Sequence, residues 1–264
     1  MEKALVLGKT GRLGRALRRY WAANEPRFRP VWIGRRPSEG KLPAARAVLA
    51  LWGRTAGDAA TLSENAELAE RAAALADEAG AERVLHLSSA AVYGGGAGPY
   101  READAPAPRN AYGASKCEME ARIARLGGGA RHCILRLANV AGADSLFHAL
   151  ETRDEIVLDR FESGGGPERS YIAIPELAQV FEALLGCEAA RLPQVLNVAA
   201  PRPLAMEEIA RAAGRKIVWQ EAGEEAVRRV VLDTARLESL VSLGPQASDA
   251  GHLVESWQRY GAGA

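Results

Sequence analysis

The sequence predicts an α/β fold, a doubly wound parallel sheet followed by a small C-terminal lobe. Through residue 139, short apolar runs alternate with helix-length segments. This alternation is typical of βαβ units, which place helices on both faces of a parallel sheet. Beyond that point, loop-like segments such as residues 163–167 and 201–203 separate shorter elements. We expect these elements to form an irregular lobe over the carboxyl edge of the sheet, where ligands bind in open α/β sheets.

Each element follows from the length and period of its apolar pattern. Short apolar runs predict strands, and longer segments with helical periodicity or many alanines predict helices. Residues 59–79 form the longest alanine-rich segment, which ends at Gly80 as helices often do. The strand candidates are residues 4–7, 31–33, 47–51, 84–87, 133–137 and 195–198. The helix candidates are residues 13–20, 59–79, 112–126, 176–185 and 206–213.

Composition excludes several classes of protein. The chain has 264 residues, of which 48% are hydrophobic and 25% are charged, which suits a globular fold with a sizeable core. A net charge of +1 offers no basic surface for nucleic acid or an acidic membrane. The three cysteines form no CxxC pair and the histidines share no ligand spacing, so we expect no metal site. No apolar run is long enough to be a signal peptide or to cross a membrane, so we expect a cytoplasmic protein.

A glycine-rich segment lies between the first strand and the first helix. Glycines there allow a tight turn and a close approach of the backbone to a pyrophosphate, which the helix N-terminus also attracts. The spacing is GxxGxxG, and a glycine-rich turn without a ligand is the alternative interpretation. Its position directly after the first strand favours a Rossmann-type dinucleotide site. The segment consists of Gly8, Lys9, Thr10, Gly11, Arg12, Leu13 and Gly14.

Two arginines predict which dinucleotide binds. NAD-selective sites usually have an acidic residue after the second strand, whereas this strand runs into Arg35 and Arg36, with no carboxylate before Glu39. Guanidinium groups bind phosphate through paired, charge-assisted hydrogen bonds. We therefore expect NADP, with NAD as the alternative. The alternative interpretation is that both arginines are simply solvated and bind no phosphate.

A tyrosine and a lysine four residues apart predict the catalytic chemistry. Tyr112 and Lys116 fall on one face of a predicted helix, where the ammonium group would lower the pKa of the phenol. Such a tyrosine is a general acid or base near neutral pH. Ser88 and Ser89 follow the strand at residues 84–87, and a serine there can polarise a substrate carbonyl.

Together, the glycine loop, the SSAAVYG segment and the NAYGASK segment resemble the extended short-chain dehydrogenases/reductases, the NAD(P)-dependent epimerase/dehydratase family, which acts largely on nucleotide sugars. The resemblance selects Ser89 over Ser88 as the active serine, because the family's residue stands four positions before the tyrosine of the VYG turn. It implies that Tyr112 is the acid or base and that Lys116 also holds the nicotinamide ribose. The segments RLANVAG and RSYI further along are similar to family motifs that contact nicotinamide and substrate.

The resemblance extends the candidate site over nearly the whole chain. Besides the glycine loop and the two arginines, the implied cofactor contacts are Leu51, Trp52, Asn65, Leu87, Ser88, Tyr112, Lys116, Leu137 and Ala138. The implied substrate contacts are Ser89, Ala90, Tyr112, Asn139 and Arg169, the last as a ligand of a substrate phosphate. Residues 1–140 and about 171–200 would form the Rossmann-type domain, and about 141–170 with 201–264 the substrate lobe.

The chain also departs from the family pattern. Only about ten residues separate Arg36 from the strand at residues 47–51, so the usual third strand, with its acidic adenine contact, is trimmed or absent. No Asp-Glu pair follows Ser89, which argues against sugar 4,6-dehydration. His86 is expected to be a core residue.

These features predict an NADP-dependent oxidoreductase or epimerase acting on a sugar nucleotide or a related carbonyl or hydroxyl metabolite. A reductase suits NADP slightly better than an epimerase, which recycles tightly held NAD. The alternative is a non-catalytic dinucleotide-binding sensor with the same fold. The resemblance also implies a homodimer that pairs through the helices at residues 59–79 and 112–126.

Overall fold

A computed structural model describes residues 1–35, 42–96 and 98–261 of the chain. The strands in these ranges are β1 (Lys3–Leu7), β2 (Arg29–Ile33), β3 (Ala47–Ala50), β4 (Arg83–Ser89), β5 (Arg131–Leu137), β6 (Asn139–Val140), β7 (Glu155–Arg160), β8 (Glu168–Arg169), β9 (Tyr171–Ile172), β10 (Val195–Val198), β11 (Leu204–Ala205), β12 (Lys216–Glu221) and β13 (Arg229–Val230). The helices are α1 (Arg12–Ala23), α2 (Ala59–Ala79), α3 (Ala111–Ile123), α4 (Ser145–Thr152), α5 (Ile174–Gly186), α6 (Met206–Ala212), α7 (Ala235–Glu238) and α8 (Ala250–Tyr260).

The central sheet is parallel, and its order is β2-β1-β3-β4-β5-β10. The predicted α/β class is confirmed, and each of the six strand candidates overlaps one of its strands, with residues 47–51 extending one residue past β3. β3 pairs with β1 and β4, so the connection from β2 crosses over β1. Within the described ranges, β2 is the edge strand on its side, in agreement with the predicted loss of the usual third strand.

The sheet buries apolar side chains on both faces because successive residues of a strand point in opposite directions. Ala4 and Val6 of β1 pack with α1 and α5, whereas Leu5 and Leu7 pack with α2. α3 lies beside α2 on this second face. All six strands point the same way, so their carboxyl ends share one edge, and the loops at that edge carry the predicted site.

A separate apolar cluster forms beyond β5. It joins α4, β7, α6 and α8, and its buried members include Phe147, Ile156, Ile209 and Leu253. Three small sheets, β11-β8-β13, β12-β7 and β6-β9, surround it. The domain boundaries proposed from the sequence stay a prediction. In the described part of the chain, no helix combines the length and apolarity needed to cross a membrane.

Candidate active site

The loop after β1 is closely packed against its own helix. A Cβ atom at Gly14 would lie 2.2 Å from the carbonyl oxygen of Gly8, and one at Gly8 would lie 2.9 Å from the backbone nitrogen of Trp52. Gly11 is the N-cap residue of α1 and has no side chain to occupy the helix N–H groups, which have no partner within a helix. The loop therefore offers the close backbone approach and the positive helix end that suit a pyrophosphate.

The other residues of this loop differ in exposure. Lys9, Thr10 and Arg12 are exposed, whereas Leu13 packs against the core beside α1. The carbonyl of Thr10 accepts a hydrogen bond of 2.6 Å from the guanidinium of Arg15. The charged residues Lys9 and Arg12 therefore lie at the surface beside the glycines.

The side chain of Arg35, just after β2, already has partners within the protein. Its side chain is 42% exposed, and its Nη1 lies 3.9 Å from Oε2 of Glu64 on α2. Its Nη2 donates to the carbonyl of Gly53 over 3.3 Å. Glu64 also accepts two hydrogen bonds from Arg54, of 2.8 and 3.1 Å. A carboxylate therefore already offsets part of the positive charge expected to bind a 2′-phosphate, and Arg36 lies outside the described residues.

The segment after β3 connects the glycine loop with the predicted triad. Leu51 continues the β1 ladder by donating to the carbonyl of Leu7 over 2.9 Å. The Trp52 side chain is buried, and its indole N–H donates to Leu68 of α2 over 3.1 Å. Any contact of Trp52 with a cofactor would therefore come from its backbone. On the other side, a Cβ atom at Gly53 would lie 3.3 Å from Nζ of Lys116.

Ser89, Tyr112 and Lys116 meet at the carboxyl edge of β4. Asn110 caps α3 by accepting from the N–H of Gly113 over 2.8 Å, which places Tyr112 and Lys116 in the first turns of the helix. Lys116 is 4% exposed, and its Nζ donates to the carbonyl of Leu87 over 2.9 Å. The same Nζ lies 6.0 Å from the centre of the Tyr112 ring.

The titration of this group differs from the sequence expectation. Burial raises the pKa of Tyr112, and a hydrogen bond with Ser89 only partly opposes the increase. The pKa of this phenol is therefore not lowered as the pairing with Lys116 predicted, because burial dominates and the ammonium donates to the Leu87 carbonyl. Burial also lowers the pKa of Lys116 to about 8, against the opposing charge of Glu120.

Asn65 joins three segments of the site. Its Oδ1 accepts from the backbone N–H of Arg54 over 2.8 Å, and its Nδ2 donates to the carbonyl of Arg54 over 3.0 Å. The same Nδ2 donates to Oγ of Ser115 over 3.1 Å. Asn65 thus fixes the segment after β3 against α3. Its amide has these partners within the protein, and its predicted contact with the cofactor stays a prediction.

A buried polar network that the sequence patterns did not predict lies next to the triad. Arg136 of β5 pairs with Glu120 of α3, with Nη2 at 2.8 Å from Oε2, and also donates to the hydroxyl of Tyr93 over 2.8 Å. Glu120 further accepts from the hydroxyl of Ser88 over 2.5 Å. The Ser88 hydroxyl is therefore directed to Glu120, and the predicted cofactor contact of this residue stays a prediction. Helical spacing places Glu120 one turn after Lys116, a signal that could have indicated its role.

The remaining predicted residues lie along the same edge. Leu87, Leu137, Ala90 and Ala138 are buried at the ends of β4 and β5. Asn139 begins β6 and is partly exposed, and its backbone N–H donates to the carbonyl of Ser170 over 3.2 Å. The structure thus brings the predicted nicotinamide-contacting and substrate-contacting residues to adjacent strand ends.

Arg169 has a different setting from the one expected of a phosphate ligand. Its Nη1 donates to the carbonyls of Glu168 and Arg228 over 2.8 and 3.0 Å, and its Nη2 donates to Val227 over 2.7 Å. Burial lowers its pKa. These bonds join β8 to the segment before β13, so a phosphate would have to compete with backbone carbonyls for this guanidinium.

A doubly wound parallel sheet, with a glycine loop after β1 and a Tyr-Lys pair at the carboxyl edge, defines a protein of the short-chain dehydrogenase/reductase class. A sequence model of the NAD-dependent epimerase/dehydratase family matches residues 43–199. The chain belongs to this family of enzymes. No curated protein matches the chain by sequence.

Solved structures share the fold over the full length. TunA, an NAD-dependent NDP-hexosamine 5,6-dehydratase involved in tunicamycin biosynthesis, is 19% identical with a TM-score of 0.77, covering 100% of both chains. RMD from Pseudomonas aeruginosa, in complex with NADPH, is 21% identical with a TM-score of 0.75, also covering 100% of both chains. A UDP-glucuronic acid 4-epimerase variant from Bacillus cereus, in complex with NAD and a fluorinated UDP-glucuronic acid, is 16% identical with a TM-score of 0.77, covering 98% of each chain.

Proposed function

We propose that the chain is an NAD(P)-dependent oxidoreductase or epimerase, with NADP favoured, acting on a sugar nucleotide or a related carbonyl or hydroxyl metabolite. The observation that carries the proposal is the meeting of Ser89, Tyr112 and Lys116 at one strand end. Residues 51–53 link this group to the glycine loop, because Gly8 packs on Trp52 and Lys116 approaches Gly53. Together these residues would hold the nicotinamide end of a dinucleotide.

The residues around the cleft suit a dinucleotide. Gly11 leaves the N-terminus of α1 without a side-chain cap, which suits a pyrophosphate, and Lys116 suits a ribose hydroxyl. The groups proposed to hold the cofactor are the residues of the glycine loop, Arg35, Arg36, Leu51, the Trp52 backbone, Leu87, Tyr112, Lys116, Leu137 and Ala138. When bound there, the nicotinamide would supply or accept the hydride.

The side chains of the triad would carry out the proton transfer and stabilise the charge on the substrate oxygen. During reduction, the Tyr112 hydroxyl donates a proton to the substrate oxygen, and the Ser89 hydroxyl donates a hydrogen bond to the same oxygen. Lys116, charged below about pH 8, has its Nζ 6.0 Å from the ring centre and would attract the phenolate that remains on Tyr112. Burial still keeps the pKa of this phenol above its usual value. In the oxidative direction the phenolate accepts the proton instead.

NADP is favoured over NAD because of the charge at the end of β2. Arg35 is partly exposed there, and no carboxylate follows the strand directly. The carboxylate of Glu64 opposes this preference, because it lies near Arg35 and also pairs with Arg54. A 2′-phosphate would replace Glu64 as the partner of Arg35. Structural neighbours were solved with NAD and with NADPH.

The substrate proposal follows the family. Neighbours include structures with nucleotide sugars, such as MoeE5 in complex with UDP-glucuronic acid and NAD. Asn139, Ala90 and Ser89 would face the sugar, and Arg169 would bind a phosphate by exchanging a carbonyl partner. Homodimerisation through α2 and α3 is part of the same proposal, and light scattering would measure it.

Tyr112→Phe tests the catalytic proposal. It should lower turnover by a factor of about 10² to 10⁴ while thermal stabilisation by NADP⁺ persists, because the ring still packs in place. Tyr20→Phe, on α1 away from the cleft, is the matched control and should retain full turnover. Full activity in Tyr112→Phe would refute the mechanism. Cofactor binding with no turnover of any nucleotide sugar or carbonyl compound by the wild type would favour the sensor.

Arg35→Ala tests the choice of cofactor. Loss of a charge-assisted hydrogen bond should weaken NADP⁺ binding by a factor of about 10 to 100 and leave NAD⁺ binding nearly unchanged. Isothermal titration measures both dissociation constants, with Arg211→Ala, an exposed arginine on α6, as the control. Equal losses for the two dinucleotides would mean that Arg35 does not contact the 2′-phosphate.

A further inference from the structure

A buried ion pair joins two elements next to the triad. Glu120 of α3 and Arg136 of β5 are 7% and 4% exposed. Nη2 of Arg136 lies 2.8 Å from Oε2 of Glu120, and its Nε lies 3.1 and 3.2 Å from the two carboxylate oxygens. Burial of two charges costs desolvation energy, and apolar side chains in their place are often as stable or more stable. The position of this pair beside the triad therefore calls for an explanation other than stability.

One branch of the pair reaches the residue directly before Ser89. Oε1 of Glu120 accepts from the hydroxyl of Ser88 over 2.5 Å. One turn earlier on α3, Nζ of Lys116 donates to the carbonyl of Leu87 over 2.9 Å. The helix is thus attached to two consecutive residues of β4, and Ser89 is the next residue of that strand.

The other branch reaches the turn directly after Ser89. Nη1 of Arg136 donates to the hydroxyl of Tyr93 over 2.8 Å, and Tyr93 is the last residue of the 3₁₀ turn Ala90–Tyr93. Ser89 caps this turn, because its Oγ accepts from the backbone N–H of Ala91 over 3.2 Å. The chain is therefore held on both sides of Ser89 by the same ion pair.

The position of the Ser89 hydroxyl is critical to the proposed chemistry. Ser89 belongs to β4 and Tyr112 to α3, and both hydroxyls would have to reach the same substrate oxygen. Proton transfer requires heavy-atom distances of about 2.6–3.2 Å, and a misplacement of about 1 Å can lower a rate by a factor of ~10². The bonds that attach α3 to the end of β4 set the separation of these two hydroxyls.

We propose that Glu120 and Arg136 are positioning residues, which align the Ser89 hydroxyl with the Tyr112 hydroxyl through Ser88 and Tyr93. This inference rests on the proposed function and names what holds its two hydroxyl groups in place. Neither member of the ion pair would itself touch substrate or cofactor.

Ser88→Ala tests the first branch, because it removes one hydrogen bond and leaves the ion pair in place. We expect kcat to fall by a factor of about 10 to 100, with KM and the NADP⁺ dissociation constant nearly unchanged. Ser256→Ala is the matched control, since Ser256 of α8 is also 4% exposed and its Oγ has no hydrogen-bond partner among the described residues. This control should keep the kcat of the wild type. An unchanged kcat in Ser88→Ala would overturn the proposal.

Tyr93→Phe tests the second branch. It keeps a ring to stack on Tyr100, where the ring centres are 4.8 Å apart, and removes the hydroxyl that Arg136 binds. We again expect a lower kcat with a nearly unchanged KM. A loss of thermal stability without a loss of kcat would mean that Arg136 has only a structural role.

Carbon-13 NMR of the tyrosine rings measures the alignment without turnover. Tyr112 and Ser89 share a hydrogen bond, and the chemical shift of the ring carbon that carries the hydroxyl responds to it. This signal, identified by its loss in Tyr112→Phe, should move in Ser88→Ala and Tyr93→Phe and stay in place in Ser256→Ala. A signal that stays in place in all three variants would overturn the proposal. If the wild type converts no nucleotide sugar or carbonyl compound, the proposed function fails, and the NMR result still decides whether the ion pair positions Ser89.

Discussion

Lys116 keeps its ammonium group in a site that is nearly closed to water. It has one short hydrogen bond, to the carbonyl of Leu87, and Glu120 lies one turn further along α3. Burial penalises the charged form more than these groups favour it, so the pKa of Lys116 falls to about 8. A charge held in this way suits an active site, where stability is given up for function.

Replacement of Lys116 by methionine should therefore stabilise the protein and abolish turnover. The shift from 10.5 to about 8 corresponds to about 3 kcal/mol, so we expect Lys116→Met to raise the free energy of unfolding at pH 7 by ~1–3 kcal/mol. Urea denaturation at several pH values measures this difference.

The pH dependence of this difference has a definite sign. Below about pH 8 the lysine is charged in both states and its full cost is present. Above that value the folded state releases its proton first, so the difference between variant and wild type shrinks as the pH rises towards 10.5. A variant that is less stable than the wild type at pH 7 would contradict this account.

At the scale of elements, the join between β1 and α1 depends on two glycines more than on the third. Gly8 has a φ of +104° and packs on Trp52, and Gly14 of α1 touches the Gly8 carbonyl. Gly11 has an ordinary φ of −68°, and a Cβ atom there would lie 3.6 Å from its nearest neighbour, the Gly8 carbonyl. The spacing GxxGxxG alone does not distinguish these roles.

Gly14→Ala and Gly11→Ala should consequently differ. At Gly14 the new methyl group would overlap the Gly8 carbonyl, so the helix must shift, and we expect a loss of about 2 kcal/mol or more in unfolding free energy. Gly11→Ala should lower the unfolding free energy by less than about 1 kcal/mol. The methyl group fits there, and the only cost is that alanine is a less favourable N-cap residue than glycine. Thermal melts of both variants without ligand compare them, and equal losses would contradict the packing described for this loop.

At the scale of the whole molecule, α8 ties the two main apolar clusters together. Leu253 and Val254 are buried in the cluster of α4, β7 and α6. Tyr260, at the end of the same helix, belongs to the cluster of the central sheet and contacts Tyr20 of α1 with ring centres 5.2 Å apart. A helix shared in this way couples the unfolding of both clusters.

Leu253→Ala should accordingly destabilise the entire chain. Truncation of this fully buried side chain should cost ~2–5 kcal/mol, and far-UV circular dichroism and tryptophan fluorescence should report one shared transition. Glu255→Ala, exposed on the same helix, should change stability by less than about 0.5 kcal/mol. Two separate transitions in the wild type would show that α8 does not couple the clusters.

Patterns local in the sequence determined the fold class, the position of the glycine loop and the pairing of Tyr112 with Lys116. Strand alternation and helical spacing follow from the backbone geometry of each element, so they can be read without knowing the neighbours. Each of the six strand candidates lies in the central sheet for this reason.

Only the tertiary structure decided how distant residues pair. Glu64 meets Arg54 and lies near Arg35, Glu120 meets Arg136, and His86 meets His132. It also decided that the Ser88 hydroxyl is directed to Glu120 and that burial, not Lys116, dominates the pKa of Tyr112. Such pairings and pKa values depend on which faces of strands and helices pack together, and on how much water that packing removes, neither of which is contained in the spacing of residues along the chain.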